Sequence, residues 1–236
     1  MTGRVGPLRA VVFDLDGTLL DHAASARRGL GEWLGERGLV LTDEVAAAWA
    51  AAEERHFAAW RSGEVTWAEQ RRRRLRDVLP LLGVPVGTDA DLDAAFAGFL
   101  AAYERAWTGF ADAEAGVDGV QGLGLATAVL TNGTEEQQRA KLDRLGLLER
   151  VGPVLTAEGL GVAKPDPRAF QLLCERLGLA RDQVAYVGDD HVVDVLGARS
   201  AGLRAVHLDR TGAGPLDPAT ITTLADLPRL LRSLAP

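Results

Sequence analysis

One short apolar run narrows the folds open to this chain more than any other feature. Ala10-Val11-Val12-Phe13 stops abruptly at Asp14-Leu15-Asp16-Gly17. A run this short, closed by turn residues, suits a strand buried on both faces, as in the middle of a parallel sheet. The matching alternation resumes only far downstream. Residues 125–130 read as a strand, 134–145 as a helix opened by a Thr134–Gln137 capping box, and 151–155 as a short strand. Residues 167–177 read as a helix, with Asp166 as cap, Pro167 in first position and Gly178 past the end. Strand 184–187, helix 192–200 and strand 203–208 follow. Strands separated by helices imply a parallel sheet with helices on both faces, here with expected strand order 3-2-1-4-5.

The intervening block, residues 22–107, looks helical throughout. Leu30, Trp33 and Leu34 share a face, as do Val45, Trp49 and Ala52, and then Leu75, Val78, Leu79 and Leu82. Trp33, Trp49, Trp60 and Trp67 lie in this block and Trp107 closes it, so helix–helix packing is their simplest role. The turn into residues 112–124 looks shortened and has no proline. The expected architecture is α/β. A Rossmann-like parallel-sheet core is formed by residues 1–21 and 111–236, and an α-helical domain of residues 22–110 is inserted after the first strand.

Composition excludes several classes. With 47% apolar and 25% charged residues, the 236-residue chain can bury a real core. The 26 basic and 33 acidic residues leave a net charge of −7, which argues against a nucleic-acid partner. Cys174 stands alone, so neither an intrachain disulfide nor a cysteine zinc cluster can form. Met1–Arg9 lacks an apolar signal core, and no apolar run reaches membrane-spanning length. The expectation is a cytoplasmic protein with no membrane partner, monomeric or weakly homo-oligomeric. Only Lys141 and Lys164 are lysines among the 26 basic residues.

Parallel α/β sheets bind ligands at the carboxyl ends of their strands. Here those ends carry Asp14-Leu15-Asp16-Gly17-Thr18-Leu19, then Thr131-Asn132-Gly133, then Lys164-Pro165, and finally Gly188-Asp189-Asp190 with Asp194 one turn on. Several carboxylates at one edge repel one another unless a cation sits among them. Hard oxygen ligands without His or Cys select Mg²⁺. Lys164, the Thr131 hydroxyl and the helix start after Gly133 add an anion site suited to phosphate. Two carboxylates spaced i, i+2, bent out of the pleat by Gly17, can divide nucleophilic attack from proton handling.

In these four motifs the chain resembles the haloacid-dehalogenase superfamily of hydrolases, over roughly residues 8–212. The helical block resembles that family's helical cap. The resemblance implies an Mg²⁺-dependent phosphatase of a small phosphorylated metabolite. Carried over, Asp14 is the nucleophile and forms an aspartyl phosphate, while Asp16 is the general acid and base. Mg²⁺ sits on the Asp14 carboxylate, the Asp16 backbone carbonyl and Asp189. Thr131, the Asn132 backbone N–H and Lys164 hold the phosphoryl oxygens. Asp190 and Asp194 tune the metal or Lys164 from close by.

Other readings stay in view. A 2-haloacid dehalogenase resembles this chain in fold but needs no metal and has no acid where Asp16 stands. A phosphonatase needs a cap lysine, and residues 22–110 contain none. A phosphosugar mutase shares the same core. A non-catalytic binding protein on this fold normally loses a carboxylate or the lysine, whereas all stand here. A receiver domain carries no helical block of this size. Arg71–Arg74 point all round a helix, so most are expected to face water or pair with Glu64 or Glu69, with one of them or Arg61 free to meet a second anionic group of the substrate. His22, His56, His191 and His207 show no metal-ligand spacing. His56 is expected to pack on its helix, and His191 to lie beside the site.

Overall fold

The computed structural model describes residues 7–233. The expectations for the extreme N-terminus, residues 1–6, lie outside the described residues. Two compact units are formed. One contains the residues up to Asp21 together with those from Thr108 onward, and the other is His22–Trp107.

The first unit is built on a parallel sheet ordered β3-β2-β1-β4-β5-β6. Its strands are β1 (Ala10–Phe13), β2 (Ala126–Thr131), β3 (Val154–Thr156), β4 (Val184–Gly188), β5 (Arg204–Leu208) and β6 (Thr220–Ile221). The expected order is extended by β6, which is two residues long and pairs His207 with Thr220 and Leu208 with Ile221. β1 is central, and Phe13 stands opposite Val129 on one side and Val187 on the other. The chain winds outward one way through β2 and β3 and the other way through β4 and β5. The strand order therefore reverses beside β1, which is where such sheets open a crevice at their carboxyl ends. All four residues of β1 are fully buried, as its unbroken apolar sequence requires.

Helices α5 (Ala113–Gln121), α6 (Glu135–Arg144), α8 (Pro167–Leu177) and α10 (Leu227–Ser233) accompany the sheet, with one-turn helices α7 (Ala157–Leu160) and α9 (Gly197–Ser200). Helix α8 is capped as expected. The Asp166 carboxylate accepts from the Arg168 N–H at 2.8 Å, and Gly178 ends the helix in a left-handed conformation. Two readings are corrected. The Thr134 side chain makes no capping bond, and the first N–H of the helix, that of Glu135, donates to the Glu158 carboxylate at 2.8 Å. Helix α5 was not anticipated; Ala113, Gly116, Val117 and Val120 bury one face at helical spacing. Gly116 belongs to that packing, because a Cβ there would stand 2.6 Å from Leu224. The 192–200 helix starts as a wider turn, His191–Leu196, whose first N–H groups are taken by the Asp190 side chain.

The second unit consists of α1 (His22–Gly35), α2 (Asp43–Arg61), α3 (Trp67–Val78) and α4 (Asp89–Arg105). Thr42, Thr66 and Thr88 cap three of them through their hydroxyls. Trp33 and Trp49 are buried and pack edge-on or tilted against Phe99. Trp60 and Trp67 are only half-buried and pack against each other. The arginine run divides its work. Arg73 pairs with Glu69, as expected, but Arg72 pairs with Asp89 and Asp93. Arg71 lies over Trp67. Arg74 is buried and bonds Glu53 at 2.6 Å. His56 is buried against Asp77. Among the described residues no helix is long and apolar enough to cross a membrane.

Candidate active site

The site starts where β1 ends. The Asp14 N–H still donates to the Val187 carbonyl at 2.8 Å, which keeps Asp14 in sheet register beside β4. The chain then coils, with the N–H groups of Leu19 and Leu20 both donating to the Leu15 carbonyl. Gly17 has φ +89°, a conformation other residues avoid, and a Cβ there would lie 2.2 Å from the Asp189 carboxylate. Glycine thus lets the loop turn and also lets the β4 carboxylate come close to it.

Lys164 arrives opposite. Its backbone is clamped by the Asn132 side chain, whose Nδ2 donates to the Lys164 carbonyl and whose Oδ1 accepts from the Lys164 N–H, both at 2.9 Å. Its ammonium spends all three protons on protein, donating to Asp14 Oδ1 at 2.6 Å, Asp194 Oδ1 at 2.7 Å and the Tyr186 hydroxyl at 2.7 Å. The Tyr186 hydroxyl donates onward to the Leu130 carbonyl at 2.8 Å, just before Thr131. Asp194 accepts the Asp190 N–H through its other oxygen. Asp14, Lys164, Asp194 and Tyr186 are all buried.

This arrangement has too many negative charges for its cations. Carboxylate oxygens of Asp14, Asp189 and Asp194 lie within 4.8 Å of one another. Burial, partly offset by Lys164, holds the Asp14 carboxyl well above the usual carboxylate range, and the charges of Asp194 and Asp189 add to the rise. Desolvation and the Asp194 charge push Asp189 up to about 7, although part of that residue remains open to solvent. Burial disfavours the Lys164 cation, but Asp14 and Asp194 outweigh it and hold its pKa well above normal. One ammonium cannot compensate three carboxylates, and an all-oxygen donor set of this kind fits a hard divalent cation such as Mg²⁺. Thr131 is 1% exposed and its Oγ1 has no hydrogen-bond partner among the described residues. An orphaned buried hydroxyl at a strand end is suited to an oxygen of a ligand.

The structure therefore brings together Asp14, Thr131, Asn132, Lys164, Asp189 and Asp194. Asp190 turns away as a helix cap, accepting from Val192 and Val193 N–H at 2.9 Å. The Asp16 side chain pairs with Lys141. His191 lies beside the site, 3.5 Å from Asp217 and packed edge-on to His207.

Sequence reasoning missed Lys141, Tyr186 and Arg210. Arg210 donates to the Thr18 carbonyl at 2.8 Å and lies 3.6 Å over the Phe110 ring, with Asp112 as its ion-pair partner. Its position after β5 matches no motif. Lysine scarcity was a signal for Lys141, since a basic residue that is lysine among so many arginines invites a question.

A haloacid dehalogenase-like hydrolase family model matches residues 8–202, and the chain belongs to that family. It is 33% identical to a phosphoserine phosphatase of Thermus thermophilus, covering 89% of this chain and 92% of that protein. It is also 29% identical to (S)-2-haloacid dehalogenase 4A of Burkholderia cepacia, covering 89% and 87%. In fold it is similar to the HAD-hydrolase YfnB of Bacillus subtilis, solved with magnesium bound, at a TM-score of 0.86 and 21% identity over 96% of this chain and 100% of that one.

Proposed function

We propose that the protein is an Mg²⁺-dependent phosphatase of a small phosphomonoester, acting through an aspartyl phosphate on Asp14. The observation that carries this is the cluster of Asp14, Asp189 and Asp194 with Lys164 bonded into it. Such a cluster fits a divalent cation and an anion together, whereas dehalogenation of a haloacid asks for no metal. The acid at Asp16 supports the same choice, as does the similarity to a phosphoserine phosphatase. In this reading His22–Trp107 is the cap that selects substrate, and the other unit is the catalytic core.

Asp14, Asp189 and the Asp16 backbone carbonyl would hold Mg²⁺. Both Asp194 oxygens are already committed, to Lys164 and to the Asp190 N–H, so Asp194 orients the lysine. When bound, the metal offsets the carboxylate charge and draws charge from the phosphoryl group. Thr131 and the Asn132 N–H bind the phosphoryl oxygens, and Lys164 joins them by turning to phosphate the proton it now gives to Asp14. A carboxylate oxygen of Asp14 attacks phosphorus as the bond to the ester oxygen breaks. That oxygen leaves with the electron pair and takes the proton of Asp16, giving the alcohol. Asp16, now a carboxylate, takes a proton from water as its oxygen attacks phosphorus. The bond from phosphorus to Asp14 breaks, restoring the carboxylate and releasing orthophosphate.

A panel of phosphorylated metabolites assayed with Mg²⁺, with Asp14→Asn as blank, tests the proposal. Orthophosphate release by wild type and none by the variant is expected. Comparable release by both would refute it.

A further inference from the structure

Helix α6 carries a second buried lysine that the mechanism above does not use. Lys141 is 3% exposed, yet its ammonium lies 2.7 and 2.8 Å from the two carboxylate oxygens of Asp16. One turn earlier on the same helix, Gln138 is equally buried. Its Nε2 lies 3.4 Å from Asp16 Oδ2 and 3.2 Å from the Asn132 carbonyl. Residues three apart share a helix face, so α6 presents this pair as a unit. Gly133 makes room for it, because a Cβ there would stand 2.2 Å from Gln138 Nε2.

A buried ammonium is costly, and an aliphatic side chain would fill the inner face of α6 at less cost. What the lysine adds is geometric. Asp16 sits on the coiled loop after β1, with a side chain 26% exposed. Contact with both of its oxygens sets the direction of the carboxylate and the tilt of its plane together. Gln138 ties the same carboxylate to the loop that carries Thr131 and Asn132.

We propose that Lys141 is a positioning residue, which aims the Asp16 carboxyl at the ester oxygen and then at the attacking water. The proposal rests on the phosphatase reading of the site. Lys141 acts through Asp16 and leaves the phosphoryl-binding groups Thr131, Asn132 and Lys164 unchanged. The loss caused by removing it should therefore depend on how much help the leaving group needs.

Lys141→Met and Lys141→Arg test this with two esters and Mg²⁺. p-Nitrophenyl phosphate departs without needing a proton, whereas an alkyl phosphate needs one. Positioned acid–base groups contribute about 10²–10⁴-fold, so Lys141→Met should lower kcat/KM about 30-fold or more for the alkyl ester and only about threefold for the aryl ester. KM for the alkyl ester should stay within about threefold. Rapid acid quench should trap more phosphorylated enzyme than in wild type, because the water step is slowed too. Lys141→Arg should recover part of the difference, and in an Asp16→Asn background Lys141→Met should cost little more. If Lys141→Met does not fold, Lys141→Gln takes its place.

Equal losses on both esters, or a lowered Tm with unchanged kinetics, would overturn the proposal and leave Lys141 as a brace between α6 and the loop. A wild-type enzyme that hydrolyses neither these esters nor any member of the metabolite panel would overturn the phosphatase reading and this assignment with it.

Discussion

Replacing Tyr186 by phenylalanine isolates the brace beneath the site. The tyrosine is fully buried in β4, and its ring packs edge-on against Phe170 with centroids 5.1 Å apart. Phenylalanine keeps that packing and removes one oxygen. With it go a bond from the Lys164 ammonium at 2.7 Å and a bond to the Leu130 carbonyl at 2.8 Å. A hydrogen bond to a charged group contributes about 1.5–3 kcal/mol and a neutral one about 0.5–1.5 kcal/mol. The expected loss of stability is thus about 2–4 kcal/mol. All five tryptophans lie in the helical unit or at its end, so tryptophan fluorescence is the wrong probe for a change in the sheet. Guanidinium unfolding followed by far-UV circular dichroism reads it, with the midpoint falling and the slope unchanged. The same change should slow kcat by about tenfold, since Lys164 keeps its charge but loses one of three supports. A stability loss below about 0.5 kcal/mol would refute the reasoning, because a surface substitution produces as much.

The remaining predictions separate stability from function. Thr131→Val removes a buried hydroxyl that has no partner among the described residues, so stability should hold or rise by up to about 1 kcal/mol while kcat/KM falls at least about tenfold. Stability loss with unchanged kinetics would contradict that role. Gly17→Ala must adopt φ +89° and collide with Asp189, so both folding stability and Mg²⁺ affinity should drop, as read by calorimetric titration. Normal metal binding by that variant would be inconsistent with the close approach described. In the helical unit, burial opposes ionisation of Glu53, but His22 and Arg74 overcome it and lower its pKa from 4.5 to about 2. Its contribution to stability is present above about pH 4.5 and is lost as pH falls towards 2. Desolvation of Arg74, whose own pKa is lowered, offsets part of this, so about 3 kcal/mol is an upper bound. Acid unfolding of Glu53→Gln should lack that component, and an unchanged pH profile would show that the pair contributes nothing.

The parts of the fold that could be read in advance were those where local chemistry and tertiary environment agree. β1 is apolar because both its faces are covered, and Asp14 marks the point where that covering ends. The same holds for the boundary after Gly188 and for α8 with its Asp166 cap and Gly178 stop. α5 escaped because Gly116 and Gly119 dilute its helical pattern, yet both are glycine to admit Leu224 and Pro228. β6, at two residues, is set by pairing with β5 rather than by its own sequence. The strand ends announced Asp14, Lys164 and Asp189. Their supports were hidden. Tyr186 looks like any aromatic in a strand until its hydroxyl is seen on Lys164. Lys141 meets Asp16 across 125 positions of chain, a pairing that no local pattern encodes. Asn132 suggested a backbone contact to phosphate, while its side chain does separate work on the Lys164 backbone.

The central claim is that the carboxylate cluster at the end of β1 serves metal-assisted phosphoryl transfer. Ion chromatography of parallel incubations with a phosphomonoester panel and with 2-chloropropionate, each with Mg²⁺ and with a chelator, tests it most directly. The account predicts orthophosphate from the esters only when Mg²⁺ is present, and no chloride under either condition. Chloride released in the presence of the chelator, with no orthophosphate from any ester, would contradict it.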